Sequence, residues 1–382
     1  MANSVQQLYE LQHQSPWLDF IRRNMLEDGG LKRYVDQDGI RGVTANPTIF
    51  EKAIGAGNDY DAQIRDLVKA GVSTHDLFEH IAVSDIRMAA DILRPLHDAS
   101  GGSDGFVSIE VSPEKAFQTE ATIAEAKRWW SIIDRPNLMV KIPATDEGIP
   151  AIERCIADGV NINITLIFSL DFYERVMDAY IRGLEQRLER GEDLRNSNSV
   201  ASFFVSRVDT SVDKLLEEKI AAVPDVAARE RLRGLLGKAA VANAKVAYRR
   251  FQDTFGSGRF QKLQGAGAKV QRPLWASTGT KNPAYSDILY VQELIGPDTV
   301  NTMPPQTIDA FRDHGVVRRT IDENYDAAVK VLADLETAGV SMRSVTDQLQ
   351  AEGVEAFMKS FDQIRETTAK KAGEIMNKAS AA

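Results

Sequence analysis

Cysteine is almost missing from this chain: Cys155 is the only one in 382 residues. No intrachain disulfide can form, and a reducing, cytoplasmic setting is expected. No run of about 18 apolar residues occurs, which argues against a membrane-spanning helix. The first eleven residues are polar and lack the apolar core of a secretion signal. Positive charge is also short. Lys+Arg number 46 against 55 Asp+Glu, a net charge of -9, which argues against nucleic acid as the main partner. A small phosphorylated ligand stays open, because it needs only one or two well-placed cations. The five histidines (His13, His75, His80, His97, His314) form no HExxH or other metal-ligand spacing, so no metal site is expected.

What is present reads as an ordinary folded chain, with 43% hydrophobic and 26% charged residues. Short β-branched segments alternate with longer amphipathic ones. The strand candidates are residues 17–20, 42–45, 106–111, 138–142, 161–165, 201–205, 274–277 and 300–303. Helical patterns fall at 149–155, 170–188, 212–220 and 226–255. Alternation implies crossover connections and a parallel sheet, and eight repeats imply one closed (β/α)8 TIM barrel of the α/β class. An open doubly wound sheet is the alternative; no GxGxxG follows the first strand, which counts against its dinucleotide-binding version. The whole chain, 1–382, reads as a single domain with two additions. Residues 52–104 are longer than one helix needs, and end in a glycine-serine stretch at 99–105 that reads as a flexible loop. From residue 320 to 382 the pattern is helical. Val354, Phe357, Met358, Phe361 and Ile364 there form one apolar face, packed on the barrel or forming a dimer contact.

One lysine stands in an unusual place. Lys141 follows Leu138, Met139 and Val140 and precedes Ile142, in a run that reads as a strand buried on both faces. Burial of an ammonium without a partner is unfavourable and favours the neutral amine, the form a Schiff-base nucleophile needs. A lysine whose head snorkels to solvent is the plainer alternative. Other polar residues fall inside or at the ends of neighbouring strand candidates, where barrel active sites form: Asp19, Asn46, Glu110, Asn163, Thr165, Ser202, Arg207, Ser277 and Lys281. Each has an innocent alternative. Asn46-Pro47 is a common turn dipeptide, Asp19 could cap a helix, and Arg207 could pair with Asp209. Together, on successive strands around one lysine, they point to a site.

The motifs resemble a known family. They are Gly42-Val43-Thr44-Ala45-Asn46-Pro47-Thr48-Ile49-Phe50, Val107-Ser108-Ile109-Glu110-Val111-Ser112-Pro113, Met139-Val140-Lys141-Ile142-Pro143-Ala144-Thr145, the segment from Gly159 to Ser169, and Trp275-Ala276-Ser277-Thr278-Gly279-Thr280-Lys281-Asn282. These resemble the transaldolases in their longer bacterial form, from about residue 13 onward; related fusion proteins append a sugar-phosphate isomerase, for which the chain is too short. The resemblance implies a Schiff base on Lys141, with Asp19 as acid/base and Glu110 and Thr165 holding a catalytic water. It also implies that Asn46, Asn163 and Ser202 hold substrate hydroxyls, and that Arg207, Ser277 and Lys281 hold a phosphate, with Thr278 beside them. Phe204 would shield the site, or simply pack. The implied reaction moves a dihydroxyacetone unit from sedoheptulose 7-phosphate to glyceraldehyde 3-phosphate, giving erythrose 4-phosphate and fructose 6-phosphate. That belongs to the non-oxidative pentose phosphate pathway and needs no cofactor. The alternatives are a fructose-6-phosphate aldolase and a non-catalytic sugar-phosphate-binding barrel. The oligomer would be a monomer or homodimer.

Overall fold

The alternating segments close into a barrel of eight parallel strands in the computed structural model, which describes residues 2–380. The strands are β1 (Gln14–Leu18), β2 (Gly42–Thr44), β3 (Phe106–Glu110), β4 (Leu138–Pro143), β5 (Ile162–Ile167), β6 (Ser199–Phe204), β7 (Arg272–Ala276) and β8 (Thr299–Met303). Each pairs with its sequence neighbour, and β8 closes on β1. This is the (β/α)8 architecture, whose functional face lies at the C-terminal strand ends.

Strand boundaries differ from the sequence reading where polar residues are satisfied internally. β1 begins at Gln14, not Trp17, and pairs with β8 along its whole length. Gln14 is polar yet buried, since its Nε2 donates to the Leu294 carbonyl at 2.7 Å and to Thr299 Oγ1 at 2.8 Å. Asp19 lies just past the strand, but its N–H still donates to the Met303 carbonyl at 2.8 Å. β5 runs on to Ile167 through a register shift. There Leu166 takes φ 58°, a left-handed conformation that a leucine holds only under constraint from its surroundings. The stretch 226–255 is two helices, Val226–Arg233 and Ala239–Phe255. They part near Gly237, whose φ of 68° suits glycine and whose N–H donates to Asp213 Oδ1 at 2.9 Å.

Between β2 and β3 lie three helices, Pro47–Gly55, Asp61–Lys69 and Leu77–Ala99. The C-terminal helix, Met342–Ser380, crosses the C-terminal ends of β2 to β5. Its Gln350 Nε2 donates to the Ala144 carbonyl at 2.6 Å, and its Ser360 hydroxyl meets the Thr48 hydroxyl at 2.8 Å. Val354, Phe357, Phe361 and Ile364 are buried against the barrel, whereas Met358 is 39% exposed. Met358 therefore leaves the proposed apolar stripe, being turned about 100° from Phe357 by the helical repeat. No helix among the described residues is long and apolar enough to cross a membrane. Cys155 is fully buried and its thiol is pushed up to about 12 by that burial, which makes it inert.

The glycine-serine segment before β3 differs most from expectation. Ser100 Oγ accepts from the Asp104 N–H at 3.0 Å, and Lys269 Nζ donates to the Gly101 and Gly102 carbonyls at 2.9 and 2.7 Å. Asp104, 2% exposed, then plugs the N-terminal end of the barrel. Its carboxylate accepts from Ser15, from Trp17 Nε1 at 3.0 Å, from Arg41 Nε at 2.7 Å and from Arg272 at 3.4 Å. Composition read a loop as mobile that charge and hydrogen bonding hold fast. Removing that carboxylate strands two largely buried guanidinium groups. Asp104→Ala is therefore expected to lower unfolding free energy by about 3–5 kcal/mol, measured by urea denaturation; a loss under about 1 kcal/mol would contradict the plug.

Candidate active site

Strand register brings the first site residues together. Glu110 on β3 is level with Lys141 on β4, which is level with Asn163 on β5. Side chains at one register level of a parallel sheet share a face, so these three meet inside the barrel. Lys141 is 5% exposed. Its Nζ lies 3.3 Å from Glu110 Oε2 and donates to the Ala45 carbonyl at 3.3 Å. Neither Glu110 oxygen finds an aligned hydrogen-bond donor among the described residues, and Thr165 Oγ1 is likewise buried without one. Groups of this kind normally have a partner, so both are open to a small polar guest. Burial raises the Glu110 carboxyl above its ordinary 4.5, and the Lys141 charge only partly opposes this.

A cavity of about 200 Å³ opens beside this pair at the C-terminal end of the barrel. Asp19, Asn46, Lys141, Thr165, Ser202, Phe204, Arg207 and Ser277 all line it. Glu110 sits behind Lys141, and Asn163 sits behind Ser202. Asn163 is fully buried, accepting from Ser202 Oγ at 2.7 Å and donating to Ser108 Oγ at 3.0 Å. Two hydroxyls thus fix the orientation of its amide. Asn46 caps the helix Pro47–Gly55 with its Oδ1, which accepts from the Ile49 N–H at 3.0 Å. Its Nδ2 keeps its donors without a protein partner among the described residues. One asparagine therefore starts a helix and faces the cavity at once.

Asp19 keeps a face open to the cavity while protein surrounds the rest of it. Burial raises its carboxyl above the ordinary 3.8; the Thr44 hydrogen bond, Lys141 and Arg207 pull the other way without prevailing. Thr44 Oγ1 donates to Asp19 Oδ1 at 2.6 Å and also meets Thr302 Oγ1 at 2.7 Å. A threonine hydroxyl has one proton, so Thr302 must donate to Thr44. The result is a chain, Thr302 to Thr44 to Asp19, across β8 and β2. The sequence reading missed Thr302 and gave Thr44 no role. Their signal was present, since both are polar at the C-terminal ends of buried strands.

At the mouth, the Arg207 guanidinium lies 5.2 Å from the Phe204 ring centroid. It has no carboxylate partner among the described residues, and burial lowers its pKa. The suggested pair with Asp209 does not form. Asp209 is buried and accepts from the Ala240 N–H at 2.7 Å and from Tyr290 OH at 2.9 Å. Lys281 lies outside the cavity lining and is exposed. Partial desolvation and then the nearby charge of Arg207 lower its pKa. Two cations near each other without a paired anion form a natural anion site. Thr278 does not join them, because its hydroxyl is engaged by Asn301 Oδ1 at 2.9 Å and the Thr302 carbonyl at 3.0 Å, which share its one proton. Ser277 does reach the cavity, with φ 57° and its Oγ 3.0 Å from Ser206 Oγ. Further wall residues went unforeseen, among them Thr48, Ile49, Lys52 and Ala276, and Phe357 from the C-terminal helix, whose apolar spacing signalled only packing.

Fold and cavity define the class first: a (β/α)8 barrel whose polar centre is built round one buried lysine. Residues 16–368 match the family described as Transaldolase/Fructose-6-phosphate aldolase. The chain is 50% identical to the transaldolase of Thermobifida fusca (strain YX), over 97% of this chain and 98% of that protein. It is 47% identical to the transaldolase of Trichodesmium erythraeum (strain IMS101), over 91% of this chain and 92% of that one. With the transaldolase of Parafrankia sp. (strain EAN1pec), identity is 49% over 94% and 95% of the two chains. The chain belongs to the transaldolase/fructose-6-phosphate aldolase family.

The hydroxyl chain makes a measurable prediction. Asp19 titrates above the ordinary 3.8, and its Thr44 bond favours the charged form. Thr44→Val therefore moves the midpoint further up, read from the carboxyl carbon signal in a ¹³C NMR titration. A midpoint that stays put or falls would contradict the assigned donor.

Proposed function

We propose that this chain catalyses the transaldolase reaction, carrying a dihydroxyacetone unit from sedoheptulose 7-phosphate to glyceraldehyde 3-phosphate through a Schiff base on Lys141. The observation that carries this reading is the buried Lys141–Glu110 pair opening onto a cavity that Asp19 also lines. Near-full-length relatives named transaldolase support the choice of reaction.

The amine of Lys141 adds to the C2 carbonyl of the ketose, and loss of water gives an iminium. Glu110, with a raised proton affinity and Lys141 beside it, takes and returns protons in these steps. A water held between Glu110 and Thr165 meets their unsatisfied atoms and serves the same traffic. Asp19 then removes the proton of the C4 hydroxyl. The C3–C4 bond breaks, its electron pair enters the iminium to give an enamine, and the aldose phosphate leaves. The acceptor aldehyde runs these steps backward, with Asp19 returning the proton. Asn46 and Ser202 hold the hydroxyls of the retained unit, with Asn163 acting from behind by orienting Ser202 rather than by the direct contact expected from the sequence, so the acceptor meets an oriented nucleophile. Arg207, Ser277 and Lys281 take the phosphate. No metal or cofactor is needed, because the iminium is the electron sink. The chain acts as one domain in the cytoplasm, as a monomer or homodimer, with the 52–104 and 320–382 segments packed on the barrel.

Borohydride with fructose 6-phosphate is expected to fix an adduct on Lys141, seen by peptide mass, and Lys141→Ala is expected to lose both adduct and turnover. An unmodified Lys141 in the trapped wild type would leave a sugar-phosphate binder as the better account. Asp19→Asn is expected to keep the adduct while turnover falls by about 10²–10⁴. The sign of its stability effect follows from linkage. A raised carboxyl contributes stability below its unfolded pKa, near 3.8, and loses it as pH rises through the folded value. At neutral pH, Asp19→Asn should therefore melt higher than wild type; a lower melting temperature would mean that the charged form is the stabilised one.

With fructose 6-phosphate as the only substrate, free dihydroxyacetone should accumulate far more slowly than product forms once an acceptor aldose is added. Equal rates would assign the aldolase activity instead.

A further inference from the structure

The C-terminal helix does more than cover the barrel, because one of its rings is part of the cavity wall. Phe357 is 4% exposed, lines the cavity, and has its ring centroid 6.0 Å from Lys141 Nζ. The approach that puts it there is built into the backbone. One turn earlier, Gly353 lies so close to β5 that a Cβ would sit 2.9 Å from Leu166 Cδ2. Leu166 is the residue of the β5 register shift, and it directly follows Thr165 in the site. One turn later, Ser360 is hydrogen-bonded to Thr48, itself a lining residue. The helix is thus anchored on both sides of the ring, and the ring stands against the amine.

We infer that Phe357 is a specificity-determining residue, which keeps water from the three-carbon enamine on Lys141 and so favours transfer over release. The inference rests on the proposed Schiff-base reaction. After cleavage, Asp19 holds the proton taken from the C4 hydroxyl. Two outcomes then compete. In transfer, the enamine carbon attacks an acceptor aldehyde and Asp19 protonates the new alkoxide. In release, Asp19 gives its proton to that carbon and water adds to C2 of the iminium. The C–N bond then breaks, so dihydroxyacetone leaves and the amine is regained. Both outcomes end in hydrolysis of an iminium on Lys141, but only release needs water beside the nitrogen while it still carries the three-carbon unit, so a dry apolar wall there acts on the choice between them. Phe204 covers the cavity from the strand β6 side and Phe357 from the helix side.

The test compares full-length variants with fructose 6-phosphate alone and with fructose 6-phosphate plus erythrose 4-phosphate, reading free dihydroxyacetone against sedoheptulose 7-phosphate. Phe357→Ala is expected to raise the ratio of release to transfer by on the order of tenfold, with borohydride trapping on Lys141 retained. Phe357→Leu, which keeps most of the apolar volume and carries the test if the alanine variant does not fold, is expected to raise it less. Phe361→Ala is the control. Its ring lies on the same helix but packs on Phe78, 5.7 Å between centroids, and the ratio is expected to stay at the wild-type value. An unchanged ratio in the folded Phe357 variants, with trapping intact, overturns the inference. A rise in Phe361→Ala as large as in Phe357→Ala also overturns it, because helix docking and not the ring would then set the ratio. Loss of trapping in the unmutated chain overturns it together with the Schiff-base reading on which it rests.

Discussion

A charged pair inside an apolar barrel is the constraint around which this molecule is arranged. Lys141 and Glu110 face each other at 3.3 Å with both side chains nearly fully covered. Two such groups lose more hydration than their attraction returns unless the geometry satisfies them, and here it does so only in part. Lys141 gains the Ala45 carbonyl as well as its carboxylate, while Glu110 is left with oxygens that lack an aligned donor. That imbalance is what a reactive pair requires. An amine can attack a carbonyl only after giving up a proton, and a carboxylate of raised proton affinity within contact range can receive it. In the proposed cycle an iminium restores a positive charge beside Glu110, and the carboxyl's raised proton affinity suits the stages at which the nitrogen is neutral.

The two ends of the barrel divide the work. At the N-terminal end, Asp104 collects two arginines, a serine and a tryptophan, so its carboxylate and both guanidinium groups are paired. At the C-terminal end, cations lack partners, oxygens lack donors, and both Leu166 and Ser277 adopt strained left-handed backbones. Stability is concentrated where the barrel is closed, and the exceptions to it gather where the chemistry takes place. The C-terminal helix joins the two tasks, packing on the barrel through the buried Val354, Phe361 and Ile364 while placing Phe357 in the cavity wall.

Much of this was legible in the sequence, and the illegible part has a physical pattern. The parallel barrel could be read because buried strands and amphipathic helices have different periods, and eight alternations leave few ways to close. Lys141, Glu110 and Asn163 could be picked out because each is polar in an apolar run. Gln14 and Ser15 hid the start of β1, because a polar side chain satisfied by a partner distant in the chain, the Leu294 carbonyl for one and the Asp104 carboxylate for the other, looks like a loop residue in sequence. Asp104 hid for the opposite reason: glycine and serine around it announced flexibility, while its arginine partners lie far away in the chain. The roles of Thr302 and Phe357 could not be read from local pattern, although the polarity of Thr302 at a strand end was visible there. A threonine in a buried strand is usually filler, and a phenylalanine on an apolar helix face is usually packing. What sets these two apart is only the neighbour that the fold brings to them.

Asp19 and Glu110 are the same chemical group held in two different ways, which is the basis for the two roles proposed for them. Burial raises both, so dielectric alone does not separate them. Their partners do. Asp19 receives a hydroxyl proton through Thr44, backed by Thr302, and this directed donor holds one oxygen in place while the other stays toward the cavity. Glu110 receives no aligned donor, only the bulk of a neighbouring positive charge that is replaced in kind when the imine forms. A carboxylate fixed by a hydrogen bond is suited to meet one hydroxyl of a substrate in one orientation. A carboxylate held by charge alone can turn between an amine, a water and a carbinolamine as each appears. The division of labour proposed for the two, acid/base at the sugar and proton traffic at the nitrogen, matches how each oxygen is held, and two strands of separation in the barrel are enough to produce that difference.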